Sequence, residues 1–592
     1  MSRKQKLSLQ DVVSQLQDPN TSDIEFESDD SDDEEYELPK DGSDQEDSEN
    51  DDDFSSDDDE PLANLVTAKT TATAATTTTA TKQPVRGYRW HKAAFTPPDA
   101  SFDPPDLQPP ADDSMTPYNY FKLFVSDEML DKMAYQTNLY SVSKDQRSVQ
   151  TSKKEIEQVL GIYLRMGLVQ MPNVRSYWEE DTRYPLVAEV MSRTRFEKLS
   201  TVFHFVDNDS MSEADRKADR VWKLRPWTDD LRKTFLQVTP EECNSVDEIM
   251  VAFKGRSLLR QYMPGKPHKW GFKLWGRCGI TGFLYDFDIY QGKNPNGEKP
   301  SECGMGGDVV LKLVSSLPQN KNYKIFADNF FTGLPLIDRL RGMGFLYIGT
   351  IRANRLKDCP IMGEKELRKK DRGTFECWVE RTRNIVAVRW LDNKVVNLVS
   401  SFVGSDPVDT ARRYDRSKKT HVQVPRPHII KMYNKFMGGV DLLDMLCSLY
   451  KPTIRCRRWY IYIWWHTITI AVVNAWLIYR RHQRELPNCK TMPLRRFQAR
   501  VASALTDAGK RARGRPASGS PPVPKRRHSV QTQPVEDARR DGLDHLPEWN
   551  EKRQRCFQCP GNAAFTYLRC TKCKVWLCLN KDRNCFAAFH RH

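Results

Sequence analysis

The spacing of apolar positions changes several times along the chain. Between 116 and 240 it is helical. Residues 154–164 carry Ile156, Val159, Leu160, Tyr163 and Leu164, and residues 195–203 carry Phe196, Leu199, Val202 and Phe203. Both stretches predict amphipathic helices. From about 245 the pattern turns to β-branched and aromatic residues between Gly-containing turns. It predicts strands at 245–253, 273–275, 283–290 and 323–326, with a helix over 308–316 between two of them. A second β-rich stretch covers 345–430, with strands at 345–350, 385–390 and 395–400. Helical spacing resumes at 438 and runs to about 506. Within it, residues 459–479 form a 21-residue run without Asp, Glu, Lys or Arg. That length would span a bilayer. The run also holds His466, Thr467, Thr469 and Asn474, and Arg457-Arg458 and Arg480-Arg481 flank it on both sides, so charge gives no orientation. A buried core helix has the same profile and is the reading adopted, with no membrane partner.

The two ends lack such patterning. Residues 1–115 hold a short stripe (Leu9, Val12, Val13, Leu16), an acidic run at 21–60, a Thr/Ala tract at 67–81 and a Pro-rich stretch from Pro97 to Pro110. None can bury enough apolar surface to offset chain entropy, so 1–115 is expected to be a disordered tail. Residues 508–552 are a basic linker rich in Pro, Gly and Ser, and 553–592 are dense in Cys and His.

Charge sharpens the picture. The net value of +12 over 592 residues conceals an asymmetry. Residues 21–60 contain 22 of the 79 acidic residues and one of the 91 basic ones, which leaves 57 acidic against 90 basic, or +33, on the rest. Such an excess points to an anionic partner, with nucleic acid first. The acidic run reads either as a solvating tail or as an autoinhibitory mimic of nucleic acid or docking segment. The first residues, Met1 to Leu7, carry basic groups but no apolar run, unlike a secretory signal. Eight of the 14 Cys are scattered singly, as buried reduced thiols are. A reducing, intracellular setting is expected.

Three Asp stand at the ends of apolar elements. Asp247 lies in a strand (Val246-Asp247-Glu248). Asp328 sits where a strand runs into a turn (Ile325-Phe326-Ala327-Asp328-Asn329). Asp441 opens a helix (Gly438-Gly439-Val440-Asp441), with Asp444 three residues on. A carboxylate among Val, Ile and Phe is costly to bury uncompensated. A divalent cation with oxygen ligands is a natural compensator, and two such ions suit phosphodiester displacement. Taken singly, each Asp reads more readily as a turn residue or a helix-terminal charge.

The segments SVDEIMVAFKGR (245–256), ADNFFTG (327–333) and GGVDLLDMLCSLY (438–450) resemble the three catalytic blocks of the piggyBac transposases. YMPGKPHKWGFKLW (262–275) and EIEQVLGIYLRMGLVQMPNVRSYW (155–178) are also similar, and the blocks keep the family's order over roughly 116–592. The resemblance implies an α/β fold with an RNase H-like core in two parts, 241–344 and 431–507, the second part including a return of the helical domain. An inserted β-rich domain at 345–430 would split that core, and a helical dimerisation and DNA-binding domain would occupy 116–240. It also implies Asp247, Asp328 and Asp441 as catalytic residues, Asp444 as a secondary acidic position, and Mg²⁺ or Mn²⁺ as cofactor. The implied activity is cleavage of double-stranded DNA at transposon ends through hairpin intermediates, with insertion at TTAA, by a homodimer.

Six Cys crowd into the last 37 residues, as Cys556-x2-Cys559-x10-Cys570-x2-Cys573-x4-Cys578-x6-Cys585-x4-His590-x1-His592. Two CxxC pairs give the chelate bite of a thiolate zinc site, and eight ligands make two Zn²⁺ sites, interleaved as in cross-braced fingers. So short a segment has almost no core, so metal must drive its folding. The family resemblance implies DNA-end binding for this module; a chromatin or ubiquitin-ligase type finger is the competing reading. In the linker, Lys510-Arg511-Ala512-Arg513-Gly514-Arg515-Pro516 contains an AT-hook-like core, in which Arg513 and Arg515 suit a narrow minor groove. Plain charge attraction to phosphates is an equal reading. Lys525-Arg526-Arg527 is a nuclear-import-like cluster. Both readings of the linker place the chain on DNA in the nucleus. Three functions follow: a DDD transposase; a domesticated nuclear DNA-binding protein that keeps the fold without transposition; and a chromatin adaptor acting through the zinc module and acidic tail.

Overall fold

The computed structural model describes residues 87–104, 115–263, 266, 269–292, 299–415, 418–452, 456–485, 491–507, 539–540, 544–559 and 564–591. The chain divides into two units, 1–510 and 511–592.

The first unit is organised by a ten-stranded sheet. Its centre is β2 (Cys243–Ala252), which pairs along one edge with the antiparallel β4 (Trp270–Gly279), from Asn244 opposite Gly279 to Ala252 opposite Gly271. The far edge of β4 carries β3 (Gln261–Tyr262) and β5 (Leu284–Ile289), both antiparallel. On its other edge β2 runs parallel to β6 (Lys324–Ala327), and β6 runs parallel to β7 (Leu346–Thr350). Parallel neighbours need crossovers. The helices Gly304–Val314 and Leu334–Gly342 supply them, the first before β6 and the second between β6 and β7, each burying an apolar stripe against the sheet.

Beyond β7 the sheet continues through β10 (Val395–Ser400), β9 (Ile385–Leu391), β8 (Phe375–Glu380) and β1 (Trp90–His91), all antiparallel. The β-rich stretch expected as an insertion at 345–430 therefore contributes four strands to the same sheet. Every residue of β9 is buried, which explains why its sequence is apolar apart from Arg389, whose guanidinium donates to Asn397 on β10.

Residues 87–104 correct the expectation of a tail reaching to 115. Trp90 is buried, its Nε1 donates to the Lys357 carbonyl at 2.9 Å, and Phe102 packs edge-on against Tyr323. Trp90, before the Pro-rich stretch, and Phe102, within it, dock this segment on the sheet. The helix His428–Phe436 was also missed, because it begins inside the stretch read as β-rich.

The apolar run at 459–479 lies in a 27-residue helix, Trp459–Glu485. By length and composition it could cross a membrane, but 94% of its most apolar window is buried inside the protein. It threads the largest core, where Trp464 meets Phe203, Phe205 and Trp227, and the Trp227 Nε1 donates to Thr467. Its one buried amide is matched. Asn474 donates to the Leu284 carbonyl at 2.9 Å and accepts the Leu284 N–H at 3.0 Å, fastening the helix to the start of β5. Asn474→Leu would leave both backbone groups unpaired in a dry interior. At about 1–3 kcal/mol for each orphaned group, we expect a loss of roughly 2–6 kcal/mol, read as a lower urea midpoint. An unchanged midpoint would mean that water reaches the site.

Candidate functional site

The parallel register of β2 and β6 pairs Val246 with Ala327. Asp247, in the middle of β2, and Asp328, the first residue after β6, come next on the two neighbouring segments, so they stand side by side where β6 ends against β2. Asp247 accepts the N–H of Glu248 at 2.8 Å, and Asp328 accepts that of Phe330 at 2.8 Å. The turn after Asp328 is held from outside: Arg355 donates to the carbonyls of Asn329, Phe330 and Thr332 at 3.0–3.1 Å.

Asp441 lies in the first turn of the helix Gly439–Leu449. This helix reaches the strands because Gly439 has no side chain. A Cβ there would stand 2.5 Å from the Gly279 carbonyl oxygen and 2.6 Å from the Ser245 hydroxyl. Asp441 is exposed and Asp444, one turn on, is half-buried.

The charges of these groups are felt in common. Burial, with Glu248 and Asp328 adding to it, pushes Asp247 up to about 8. Burial raises Asp328, against the pull of the Phe330 and Phe331 N–H groups. Burial pushes Asp444 up to about 7; Asp441 adds to this while Lys266 and Lys451 oppose it. Burial works against the Lys266 ammonium, yet Asp247, Glu248, Asp441 and Asp444 together hold it above its ordinary value. The four acids expected from the sequence are thus neighbours in one field. Sequence reasoning missed their cationic surroundings. Lys266 and Lys273 lie 3.8 and 4.0 Å from Glu248, and Lys273 sits over the Trp275 ring at 4.0 Å. The signal was present in two lysines of the 262–275 block, but no spacing rule connects them to Asp247.

A carboxylate raised in the folded state holds its proton after the unfolded chain has released it. Between about pH 4 and the raised values near 7 and 8, stability therefore falls as pH rises. A divalent cation, whose hard charge suits this oxygen donor set, would remove that cost. Mg²⁺ should raise the melting temperature more near pH 8 than near pH 6, by a difference of roughly 1–3 °C. Equal shifts at both pH values would separate metal binding from these acids.

The second unit pairs β13 (Pro547–Arg555) with β14 (Phe565–Cys570) and ends in the helix Cys585–His590. Around them lie two sets of four ligand atoms, each set within 4.8 Å. Cys556, Cys559, Cys578 and Cys585 form one, with sulfur–sulfur distances of 3.3–3.4 Å. His545, Cys570, Cys573 and His590 form the other, with the His545 Nδ1 3.4 and 3.5 Å from the two sulfurs. Along the chain the sets alternate, so the two sites interleave. Nδ1 of His590 lies 2.8 Å from the Phe586 carbonyl, and its Nε2 is buried without a hydrogen-bond partner. Donation from Nδ1 leaves Nε2 a free lone pair, the arrangement of a metal-ligating imidazole. Seven of the eight expected ligands fall in these sets. The eighth position is taken by His545, which precedes the boundary drawn at 553 and stands outside any CxxC or HxH spacing. His592 lies outside the described residues, as do Lys510, Arg511, Arg513, Arg515, Lys525, Arg526 and Arg527.

Residues 116–476 match the family described as Transposase IS4. Human PiggyBac transposable element-derived protein 3 is 34% identical over 469 residues, which cover 78% of this chain and 74% of that protein. Human PiggyBac transposable element-derived protein 2 is 33% identical over 384 residues, 64% of this chain and 63% of the relative. Among solved structures, the cryo-EM structure of a piggyBac transposase synaptic complex with hairpin DNA matches with a TM-score of 0.58 at 23% identity, over 79% of this chain and 95% of that one. The mixed sheet with its flanking helices is thus a transposase fold. The chain belongs to the family of piggyBac transposases and piggyBac transposable element-derived proteins.

Proposed function

We propose that this protein binds duplex DNA and cleaves its strands with Asp247, Asp328 and Asp441 as catalytic residues and Asp444 supporting them. The observation that carries this reading is the parallel register of β2 with β6, which sets Asp247 in β2 beside Asp328 at the end of β6, while the Gly439–Leu449 helix packs against the same strand β2. The strand order β5-β4-β2-β6-β7, three antiparallel strands followed by two parallel ones, supports an RNase H-like core.

In this site Mg²⁺ or Mn²⁺ would lower the pKa of the attacking hydroxyl and offset charge on the phosphate. Asp247, Asp328 and Asp441 would hold the ions, and their own hydrogen bonds fix their aim: the Glu248 N–H orients Asp247 and the Phe330 N–H orients Asp328. Asp444 would act from behind Asp441 on the same helix. Water and then a 3′ hydroxyl would serve as successive nucleophiles. Two Zn²⁺ would fold the Cys/His module and present it to DNA ends. A nuclear address, a homodimer, TTAA targets and chromatin contacts complete the reading, on the strength of the family and the basic linker.

The test is Mg²⁺- or Mn²⁺-dependent nicking of a cognate transposon end, run beside a gel shift with the same protein. Nicking supports the transposase chemistry. Tight binding without nicking, where a related transposase cuts, would assign the chain to a domesticated DNA-binding role instead.

A further inference from the structure

One element of the first unit has no part in the site described above. β11 (Asp409–Asp415) and β12 (Thr420–Arg426) form a two-stranded antiparallel ribbon apart from the ten-stranded sheet. Its inner face is fastened to the protein. Ala411 and Val424 are buried, the Trp390 Nε1 donates to the Pro425 carbonyl at 2.9 Å, and Arg413 donates to Asp392 at 2.9 Å. Asp409 is held on this face by Arg426 and Lys431, and the Asp415 carboxylate accepts the Lys418 N–H at 3.2 Å at the turn.

The outer face is different. Arg412 lies opposite Gln423, and Tyr414 lies opposite His421. All four are exposed; Tyr414 is 53% exposed and meets the His421 ring edge-on. Lys418 and Lys419 are exposed at the turn end. Strand alternation leaves no carboxylate on this face.

We propose that the ribbon reads duplex DNA from the major groove. That groove admits a two-stranded β-ribbon, and a planar Arg fork and a Gln amide are the side chains that pair bidentately with guanine and adenine edges there. Here they stand side by side on a rigid platform, with two lysines placed for the phosphates bordering the groove. A face of cations, amide and aromatic rings with no acid complements a polyanion. The inference rests on the reading that the chain binds duplex DNA and adds where the sequence is read.

The experiment uses the full chain. Wild-type protein selects duplexes from a random-sequence pool, and the recovered duplex serves as the probe. Arg412→Ala combined with Tyr414→Ala should weaken its binding about tenfold, the scale of one lost bidentate contact. Because both side chains are exposed, the melting temperature should not move. Lys418→Gln with Lys419→Gln should flatten the dependence of log affinity on log salt by about 2, or ~0.9 for each lost phosphate contact. Replacing guanine N7 by carbon in the probe removes the Arg fork's acceptor, found only in the major groove, and should weaken the wild type but not the Arg412/Tyr414 variant. If the wild type binds and the variants bind equally well, the ribbon is no DNA contact and the inference falls, while the reading of function stands. If the pool yields no duplex, both fall. Sensitivity to the alanines with none to N7 would refute major-groove reading.

Discussion

Asp328→Asn should abolish strand cleavage while leaving duplex binding intact or tighter. The change keeps the shape of the side chain and the acceptor for the Phe330 N–H, and removes only charge. Charge is what the proposed site needs. Asp247, Asp328 and Asp444 sit half-buried around the end of β6, with Asp441 exposed beside them, and burial and mutual repulsion hold Asp247 and Asp444 far above ordinary carboxylates. Such crowding is costly without a counter-ion and favourable with one. Removing one carboxylate weakens the grip on the cation and the field on the reacting phosphate. We expect a fall on the order of 10³-fold, the upper range for loss of one pre-organised electrostatic group. Asp247→Asn and Asp441→Asn should do the same. Asp444→Asn should cost less, roughly 10–100-fold, if it only supports a ligand. Binding should not suffer, because fewer negative charges face the DNA backbone. Nicking and gel-shift assays on the same preparations separate the two effects. An Asp328→Asn protein that nicks as the wild type does would end the catalytic assignment.

The second large effect concerns the Cys/His module. The purified chain should carry two Zn²⁺, and Cys570→Ser should lower that to one or fewer, with loss of structure in 544–591. The small core here consists largely of the ligands themselves: Cys556, Cys570, Cys573 and Cys578 are buried with Val575, Leu577 and Phe589. A site that loses one thiolate is no longer closed, and a structural zinc site contributes on the order of 10 kcal/mol to folding. His545 and His592 divide the alternatives. His545→Ala should lose one equivalent by elemental analysis and His592→Ala none. The reverse result would restore the ligand set expected from spacing alone.

Local pattern carried much of this architecture. The 3.6-residue period found the helices Lys153–Leu168 and Arg193–Val202 within a few residues, and runs of β-branched residues found β2, β6 and β10. What stayed hidden was pairing. Nothing in 385–400 says that β9 and β10 extend the sheet that holds Asp247, because strand partners are chosen by burial over long separations. Trp90 was missed for the same reason: its partner, the Lys357 carbonyl, is 267 residues away. Within the site the acids stood out because carboxylates among apolar residues are conspicuous. His545 did not, because one histidine in a polar linker has no pattern until the chain folds back on it.

The helix bearing Asp441 follows Asp328 by 113 residues and must lodge against a strand completed far earlier. A ribosome adding about 5–20 residues per second needs roughly 6–20 s to make that interval. During that time the sheet strands β2 to β7 can pair, but the third acid does not yet exist. On the proposed reading, a chain that stops before residue 441 would bind DNA with no capacity to cut it. Cutting would then be restricted to molecules made past Asp441, which shields the cell from stray breaks by shorter, unfinished copies.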